Sequence, residues 1–215
     1  ASIESMSNAI KRMVPEDAQL QIIVRTLAKK PGFKDSHFQC LKQRLELVAQ
    51  VADTGFKFSQ RSASYCLLDI ADKIGDIKTS QQAKEALSKI GEHCNLAYIV
   101  EQISKPILID GKNPKNQENY LIWLSQAIRE FGFQGLDLKP MIAQIKQSLQ
   151  NTNPAVRVAA IQLIGTLYMY VGASFRTFFE QEKPALLEQI DAEIEKVKGE
   201  RPPAPIRGKI TQQNG

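Results

Sequence analysis

Hydrophobic residues recur along most of the chain at intervals of three and four positions, the spacing of one buried face of an α-helix. The clearest stretch runs from Asn151 to Gly172, where Asn153 can cap a helix and Pro154 can occupy its first turn. Its apolar face comprises Val156, Ala159, Ala160, Leu163, Ile164 and Leu167. Gly172 follows the last of these positions, where glycine commonly ends a helix. The pattern predicts one amphipathic helix that begins at Pro154.

The same arrangement occurs earlier, between Lys112 and Gly132, where Asn113 and Pro114 again open the helix. The two prolines are 40 positions apart. A period near forty with two helices in each unit is typical of HEAT repeats. Alternation of apolar and polar residues with a period of two is not sustained over any whole segment, which argues against strands. The sequence therefore predicts an all-α HEAT-repeat α-solenoid.

Further apolar stripes complete this array of helices. They predict helices over residues 3–13, 16–30, 37–53, 59–74, 83–90, 96–109, 138–149 and 173–198. Ser59 is a candidate N-cap, Gly55 a candidate helix end, and Pro106 and Pro184 are expected to bend or interrupt their helices. We expect one domain over residues 1–199, with an incomplete first repeat. Residues 200–215 hold three prolines and predict a flexible linker or tail that does not pack.

Composition narrows the function classes. Hydrophobic residues make up 43% of the chain and charged residues 24%, which is ordinary for a folded soluble protein. No apolar run approaches the roughly 18 residues of a membrane span, and the first residues do not resemble a signal peptide. The net charge of +5 favours an acidic partner without saying which kind.

Candidate catalytic and metal-binding residues are sparse. The three cysteines, Cys40, Cys66 and Cys94, are odd in number and far apart, which indicates reduced core thiols in a cytosolic protein. His37 and His93 each lack a second ligand three or four positions away. No phosphate-binding glycine loop or nucleophile motif is present. We therefore expect neither an enzyme nor a bound metal or cofactor.

The turns inside the repeats carry cations. In stacked units these turns recur along one edge, so Lys34, Lys78, Lys112, Lys115 and Arg157 are expected to form a basic ridge there. Helix N-termini beside it add backbone N–H groups that favour acidic side chains. The alternative, that these lysines are solvated loop residues without a partner, is equally compatible with the composition.

The segments around these turns resemble a known family. LAKKPGFKDSHFQ, DKIGDIKTSQQAKEAL, KNPKNQENYLIWLSQAIREFGF, TNPAVRVAAIQLIGTLYMYVG and EKPALLEQIDAEIEKVKG are similar, in order, to TOG domains of the ch-TOG and Mini spindles microtubule polymerases. The third TOG domain of the array is the most similar. The resemblance implies a paddle of about six HEAT repeats without enzymatic activity, whose turns engage αβ-tubulin.

The resemblance also implies partners and a cellular location. Other TOG domains of the same chain, joined by linkers, would help to bring tubulin to microtubule plus ends. Family members are cytoplasmic and act on the cytoskeleton, at spindle poles or centrosomes and at kinetochores. A Trp-Lys motif of the family's first turn, which precedes the helix that begins at Ala1 here, is not in this sequence.

By position, the resemblance assigns tubulin-binding roles to twelve turn residues. They are Lys34, Asp35, Ser36, Asp76, Ile77, Lys78, Asn113, Lys115, Asn116, Asn153, Ala155 and Arg157. Arg157 is the strongest candidate, because a guanidinium can donate a two-pronged hydrogen bond to a carboxylate.

Two other functions stay open at this point. A HEAT-repeat adaptor or spacer would bind another protein or a neighbouring domain through a helical face instead of the turns. A nucleic-acid-binding repeat protein would use the net positive charge, but no basic stretch interleaved with aromatic residues supports it, so no nucleic acid is expected.

Overall fold

The computed structural model describes residues 2–12, 17–54 and 58–208, and every regular element in these ranges is helical. The α-helices are α1 (Ile3–Ile10), α2 (Asp17–Ala28), α3 (Phe38–Thr54), α4 (Gln60–Ser64), α5 (Leu67–Ala71), α6 (Ser80–Cys94), α7 (Leu96–Leu108), α8 (Pro114–Phe131), α9 (Leu138–Leu149), α10 (Pro154–Val171) and α11 (Pro184–Val197). Two 3₁₀ segments cover Gly32–Lys34 and Ala173–Phe179. The all-α prediction is confirmed.

The described residues divide into two compact units, one within residues 2–103 together with Gly208, and the other comprising Ser104–Arg207. In the first unit, α3 packs against α1 and α6, and α2 packs against α3 and α4. Apolar side chains at helical spacing, among them Leu45, Val48 and Ala52 of α3, are buried between these helices. The buried stripe of α6 includes Ala83, Leu87 and Ile90, as the sequence predicts.

The second unit is built around α10, which packs against α8, α9 and α11. The helices α8 and α10 have the same construction at both ends. Each is capped by an asparagine and opens with a proline, and each is 18 residues long. Gly132 and Gly172 end them in the left-handed region, with φ of 85° and 90°. The two helices predicted from the Asn-Pro pattern are confirmed to within a residue or two at each end.

Among the described residues, α10 is long and apolar enough to cross a membrane, judged by length and composition alone. The sequence analysis predicted no such stretch. Half of α10 is buried inside the protein, against the three helices named above. This is the environment of a central core helix, and such helices are apolar around most of their circumference.

The structure differs from the sequence prediction over residues 59–74. Two short helices, α4 and α5, replace the single predicted helix, because Cys66 leaves the helical conformation with φ −133° and ψ −16°. Ser59 caps α4 as predicted, its hydroxyl accepting a hydrogen bond from the Ser62 N–H. The helix α7 continues through Pro106, where we expected a bend or a break. The predicted helix positions Met13 and Gly55 and the tail residues 209–215 lie outside the described residues.

The proline-rich segment has no helix, as expected, but residues near Ile206 contact the end of α8. The prediction of a tail that makes no packed contacts was wrong for this part of the segment. Three prolines exclude a helix but leave an extended segment able to dock on a neighbour.

The cysteines are free thiols. Cys66 and Cys94 are buried, whereas Cys40 is half-buried, so the prediction of three core thiols holds for two of them. Burial raises the pKa of the Cys66 thiol and raises the pKa of Cys94 to about 12. Both thiols are therefore protonated and unreactive at neutral pH.

Candidate functional site

The four turns predicted from the repeats share one local structure. At each turn, the side-chain oxygen of an Asp or Asn accepts a hydrogen bond from the backbone N–H two residues later. The pairs are Asp35 with His37 (2.9 Å), Asp76 with Lys78 (2.9 Å), Asn113 with Lys115 (3.0 Å) and Asn153 with Ala155 (2.9 Å). These four predicted site residues therefore fix the turn backbone, and the residues that follow them are held in a defined orientation.

In the first unit, two turns lie next to each other. The Lys78 ammonium lies 4.7 Å from the centroid of the Phe38 ring, at the first residue of α3, which follows the Lys34–Ser36 turn. A cation at this distance is attracted to the ring face. Lys34 and Ser36 are exposed, and Ile77 is 96% exposed. We call Lys34, Phe38, Ile77 and Lys78 the first-unit edge.

Asp35 points away from solvent at this edge. Its carboxylate lies 3.9 Å from Nε of Arg44, and both side chains are mostly buried. Nη1 of the same arginine donates a hydrogen bond to the Leu27 carbonyl at 3.2 Å. Asp35 therefore links the turn to the body of the unit, and its carboxylate is poorly placed for a partner.

In the second unit, a glutamine side chain joins the other two turns. Nε2 of Gln117 donates to the Gly111 carbonyl at 3.1 Å, and its Oε1 accepts a hydrogen bond from Nδ2 of Asn151 at 3.0 Å. Gln117 is buried, so this bridge is shielded from water. The turn before α8 and the turn before α10 therefore lie side by side.

The cations of this second pair differ in their surroundings. Lys112 and Lys115 are exposed, and the Lys115 ammonium lies 3.1 Å from the Glu118 carboxylate one helical turn later. An exposed pair of this kind is weak and can exchange for another carboxylate. We call Lys112 and Lys115 the second-unit edge.

Arg157 has a structural role that the sequence did not reveal. Its Nη1 donates hydrogen bonds to the carbonyl oxygens of Asn151 at 2.7 Å and Thr152 at 3.0 Å. The side chain is half-buried, and no carboxylate of the described residues forms an ion pair with it. The guanidinium thus holds the turn closed with one nitrogen and keeps its positive charge uncompensated.

Asn116 is buried, with 7% of its surface exposed, which argues against a direct contact with a partner. It lies four positions before Tyr120 and seven before Trp123, both of which belong to the buried face of α8. The helical period, counted back from Tyr120, is consistent with this inward position. Ala155 is half-buried and takes part through its backbone N–H.

The structure thus brings the predicted residues together in two pairs of turns. Lys34 and Lys78 share the edge of the first unit, and Lys115 and Arg157 belong to adjacent turns of the second. A single row through all four cations stays a prediction. The sequence analysis missed Phe38 and Gln117. Phe38 lies seven positions before Leu45, on the apolar face by helical spacing, yet it is 41% exposed, so the pattern carried no signal for either residue.

Three comparisons with known proteins bear on this arrangement. A family model described as "XMAP215/Dis1/CLASP, TOG domain" matches residues 39–194. Protein mini spindles of Drosophila melanogaster is 36% identical over 210 residues, which are 97% of this chain and 10% of that protein. The chain therefore spans about a tenth of the length of this relative.

Solved structures agree with the fold. Drosophila melanogaster Mini spindles TOG3 superimposes with a TM-score of 0.90 at 36% identity, covering 96% of this chain and 90% of that one. A second structure, whose description concerns tubulin recruitment and assembly by microtubule polymerases with TOG domain arrays, has a TM-score of 0.71 at 15% identity. It covers 86% of this chain and 39% of that one, and at this identity it shows likeness of fold alone. These likenesses confirm the predicted HEAT-repeat α-solenoid, and the chain belongs to the XMAP215/Dis1/CLASP family of TOG domains.

Proposed function

We propose that this chain is a tubulin-binding module of a microtubule polymerase and that its intra-repeat turns contact αβ-tubulin. Membership of the TOG family supports this function, as does the description of a structural neighbour as recruiting tubulin. The chain has no enzymatic role in this proposal and works by binding alone.

One observation carries the proposal. Each of the four turns in the family's expected binding region is fixed by an Asp or Asn side chain, and exposed cations stand beside these turns in both units. A turn that is already ordered loses little conformational entropy on binding. Lysines held on such turns can pair with carboxylates of an acidic partner and steer its approach.

The first-unit edge combines charge with apolar surface. Ile77 is almost fully exposed between Asp76 and Lys78, and Phe38 lies beneath the Lys78 ammonium. A few residues near the centre of an interface commonly contribute most of its binding free energy, and they are surrounded by contacts that exclude water. We therefore assign direct contacts to Lys34, Ser36, Ile77 and Lys78. In the second unit the direct contact is Lys115, while Asn153 and Arg157 shape the adjacent turn.

At the level of the whole protein, we propose that this domain acts with other TOG domains of one longer chain. Tethering several weak tubulin sites raises the local tubulin concentration at a microtubule plus end. A cytoskeletal location follows, with the spindle poles, centrosomes and kinetochores as further proposed sites.

Affinity measurements with purified αβ-tubulin test the proposal. The double change Lys34→Glu with Lys78→Glu should weaken binding at least tenfold, because each reversal replaces an attraction with a repulsion. Tenfold corresponds to about 1.4 kcal/mol. Sedimentation velocity at fixed ionic strength measures the dissociation constant. An unchanged constant would mean that the first-unit edge does not contact tubulin.

Lys139 is a matched control for Lys115 within the second unit. Lys139 is also exposed near a helix start, and its N–H also bonds to an Asp side chain, Asp137, at 3.0 Å. It lies at the opposite end of α9 from the turn before α10, about 18 Å away along a 12-residue helix. Lys115→Glu should weaken tubulin binding several-fold, whereas Lys139→Glu should leave it within twofold. Equal effects would indicate non-specific charge attraction.

The adaptor function has one observation in its favour. Ile122 of α8 and Val158 of α10 are 41% and 50% exposed on the flanks of helices in the second unit. If a helical face is the binding surface, then Ile122→Ser with Val158→Ser should abolish partner binding and the lysine changes should have no effect. The tubulin-binding function predicts the reverse.

A further inference from the structure

The proline-rich segment 201–207 lies against the carboxyl end of α8. The backbone N–H groups of Ile206 and Arg207 both donate to the Glu130 carbonyl, at 2.8 Å and 3.0 Å. The last carbonyl groups of a helix have no partner inside the helix. The segment therefore satisfies a helix-end carbonyl that the helix itself cannot.

The side chains reinforce this contact. Nε of Arg207 donates to Oε2 of Glu130 at 2.5 Å, and the two side chains are only 19% and 17% exposed. Oε1 of Glu130 accepts a hydrogen bond from Nε2 of Gln126 at 2.8 Å, which orients the carboxylate. A largely buried charged pair depends strongly on both partners, since removing one leaves the other charge unpaired. Glu130 thus binds the segment through its main chain and its side chain together.

A glycine next to this site makes room for the segment. Gly132 ends α8 with a φ of +85°, and a Cβ atom placed on it would lie 3.3 Å from Cγ of Pro205. Prolines restrict the backbone before docking, which lowers the entropy lost when the segment is fixed. Pro202, Pro203 and Pro205 stand directly before the two residues that bond to Glu130.

We propose that residues 201–207 form a strap, docked on Glu130, which anchors the start of the downstream chain at the carboxyl end of α8. The Asn113 cap and Lys115 lie at the other end of this helix, about 27 Å away for 18 residues. The chain that follows the strap therefore starts at the carboxyl end of α8, away from the second-unit edge. The importance of this position for tubulin binding rests on the proposed function. A tether that starts there leaves Lys112 and Lys115 accessible to tubulin.

Amide hydrogen exchange on the full chain tests the strap. The Ile206 and Arg207 amides should exchange at least tenfold more slowly than those of an unstructured segment. Arg207→Glu should remove this protection, and the double change Glu130→Arg with Arg207→Glu should restore part of it. Arg201→Glu is the matched control, because Arg201 is exposed in the same segment, and it should have no effect. Unprotected amides in the unaltered chain, or full protection in Arg207→Glu, would overturn the proposal.

A pair of glycines provides a second test that does not alter charge. Gly132 and Gly172 end equivalent helices with nearly the same φ, but a Cβ on Gly172 would have nothing within 4 Å. Alanine at either position carries a similar backbone strain, whereas only Gly132→Ala crowds Pro205. Exchange at Ile206 and Arg207 should therefore accelerate several-fold in Gly132→Ala and not in Gly172→Ala. Equal exchange in the two variants would contradict the close approach of Pro205.

The strap and the tubulin function can fail separately. Arg207→Glu should change the tubulin dissociation constant by less than twofold, because the strap lies at the opposite end of α8 from the intra-repeat turn that carries Lys115. If tubulin does not bind at all, the proposed function is wrong, while the amide exchange of Ile206 and Arg207 still decides the strap. If Arg207→Glu weakens tubulin binding more than Lys115→Glu does, the strap is part of the interface and its assignment as a remote anchor is wrong.

Discussion

A short polar side chain does the same work at each of four turns in this protein. It accepts one backbone hydrogen bond and fixes the residues that follow, as Asp76 does for Lys78 and Asn113 does for Lys115. One side-chain oxygen of the Asp or Asn is then occupied by the backbone. Lys78 and Lys115, both exposed, are held by these bonds in a defined position for recognition.

Arg157 illustrates how a cation can serve the fold. Its Nη1 holds two carbonyl groups of the turn before α10. Arg157→Ala should lower the free energy of unfolding by about 1 to 2 kcal/mol, because these bonds involve a charged donor. Urea denaturation measures the change. Lys115→Ala is the control and should stay within about 0.5 kcal/mol of the unaltered chain. If the two variants have equal stability, the guanidinium does not clamp the turn.

His93 should make the stability depend on pH. Burial lowers the pKa of this imidazole below its usual 6.5, although Glu92 and Asp53 partly oppose the effect and Lys89 adds to it. The unfolded chain therefore binds more protons than the folded chain just below pH 6.5, so stability falls as the pH decreases through that range. Thermal unfolding at pH 7.5 and pH 5.5 measures this loss.

The His93→Gln variant provides the comparison, since glutamine does not titrate. The drop in unfolding temperature between the two pH values should be smaller in this variant than in the unaltered chain. Nε2 of His93 is buried and makes no hydrogen bond within the described part of the chain, which is consistent with a neutral imidazole. An identical drop in both proteins would assign the pH dependence to other groups.

Side-chain roles at the turns were predictable in part. The Asn-Pro pairs predict that Asn113 and Asn153 are N-caps, because this residue order is favoured at helix starts. The inward position of Asn116 follows from the helical period, counted back from Tyr120. The hydrogen bonds of Arg157 to carbonyl groups could not be predicted, since they depend on the path of the turn in three dimensions.

At the scale of the element, capping decides where helices begin. Oδ1 of Asn153 accepts the Ala155 N–H at the start of α10, and Asn153→Ala should therefore destabilise the second unit by about 1 kcal/mol. Asn153→Asp retains the acceptor and adds a negative charge at the helix N-terminus, so it should cost much less. Thermal unfolding of both variants measures the difference. Equal losses in the two would show that the cap bond is not what the side chain contributes.

The break between α4 and α5 shows where periodicity is insufficient. Ala63, Leu67 and Ile70 keep an apolar spacing that fits one continuous helix, and all three are buried. The Ser64 hydroxyl nevertheless bonds to the Arg61 carbonyl, and the Cys66 N–H bonds to Ala63 three residues back. Serine side chains compete with the helix for such backbone groups. Hydrophobic spacing predicted the buried face correctly and did not detect this local competition.

At the scale of the whole molecule, a period of forty residues was sufficient to predict the fold class. Each repeat buries its apolar face against its neighbours, so the same pattern reappears in α8 and α10. The docked strap was not predictable, because proline-rich composition is shared by flexible linkers and by segments that bind in an extended form. Glu130 and Arg207 are 77 positions apart in the sequence, so only the folded structure reveals their ion pair.

Amide hydrogen exchange of this chain with and without αβ-tubulin tests the central claim most directly. We predict slower exchange on binding at residues 34–38, 76–80, 112–116 and 152–157, with no change at the carboxyl ends of α8 and α10, near Gly132 and Gly172. Protection confined to those two helix ends, or to the helical flank that carries Ile122 and Val158, would contradict the assignment of the intra-repeat turns as the tubulin-binding surface.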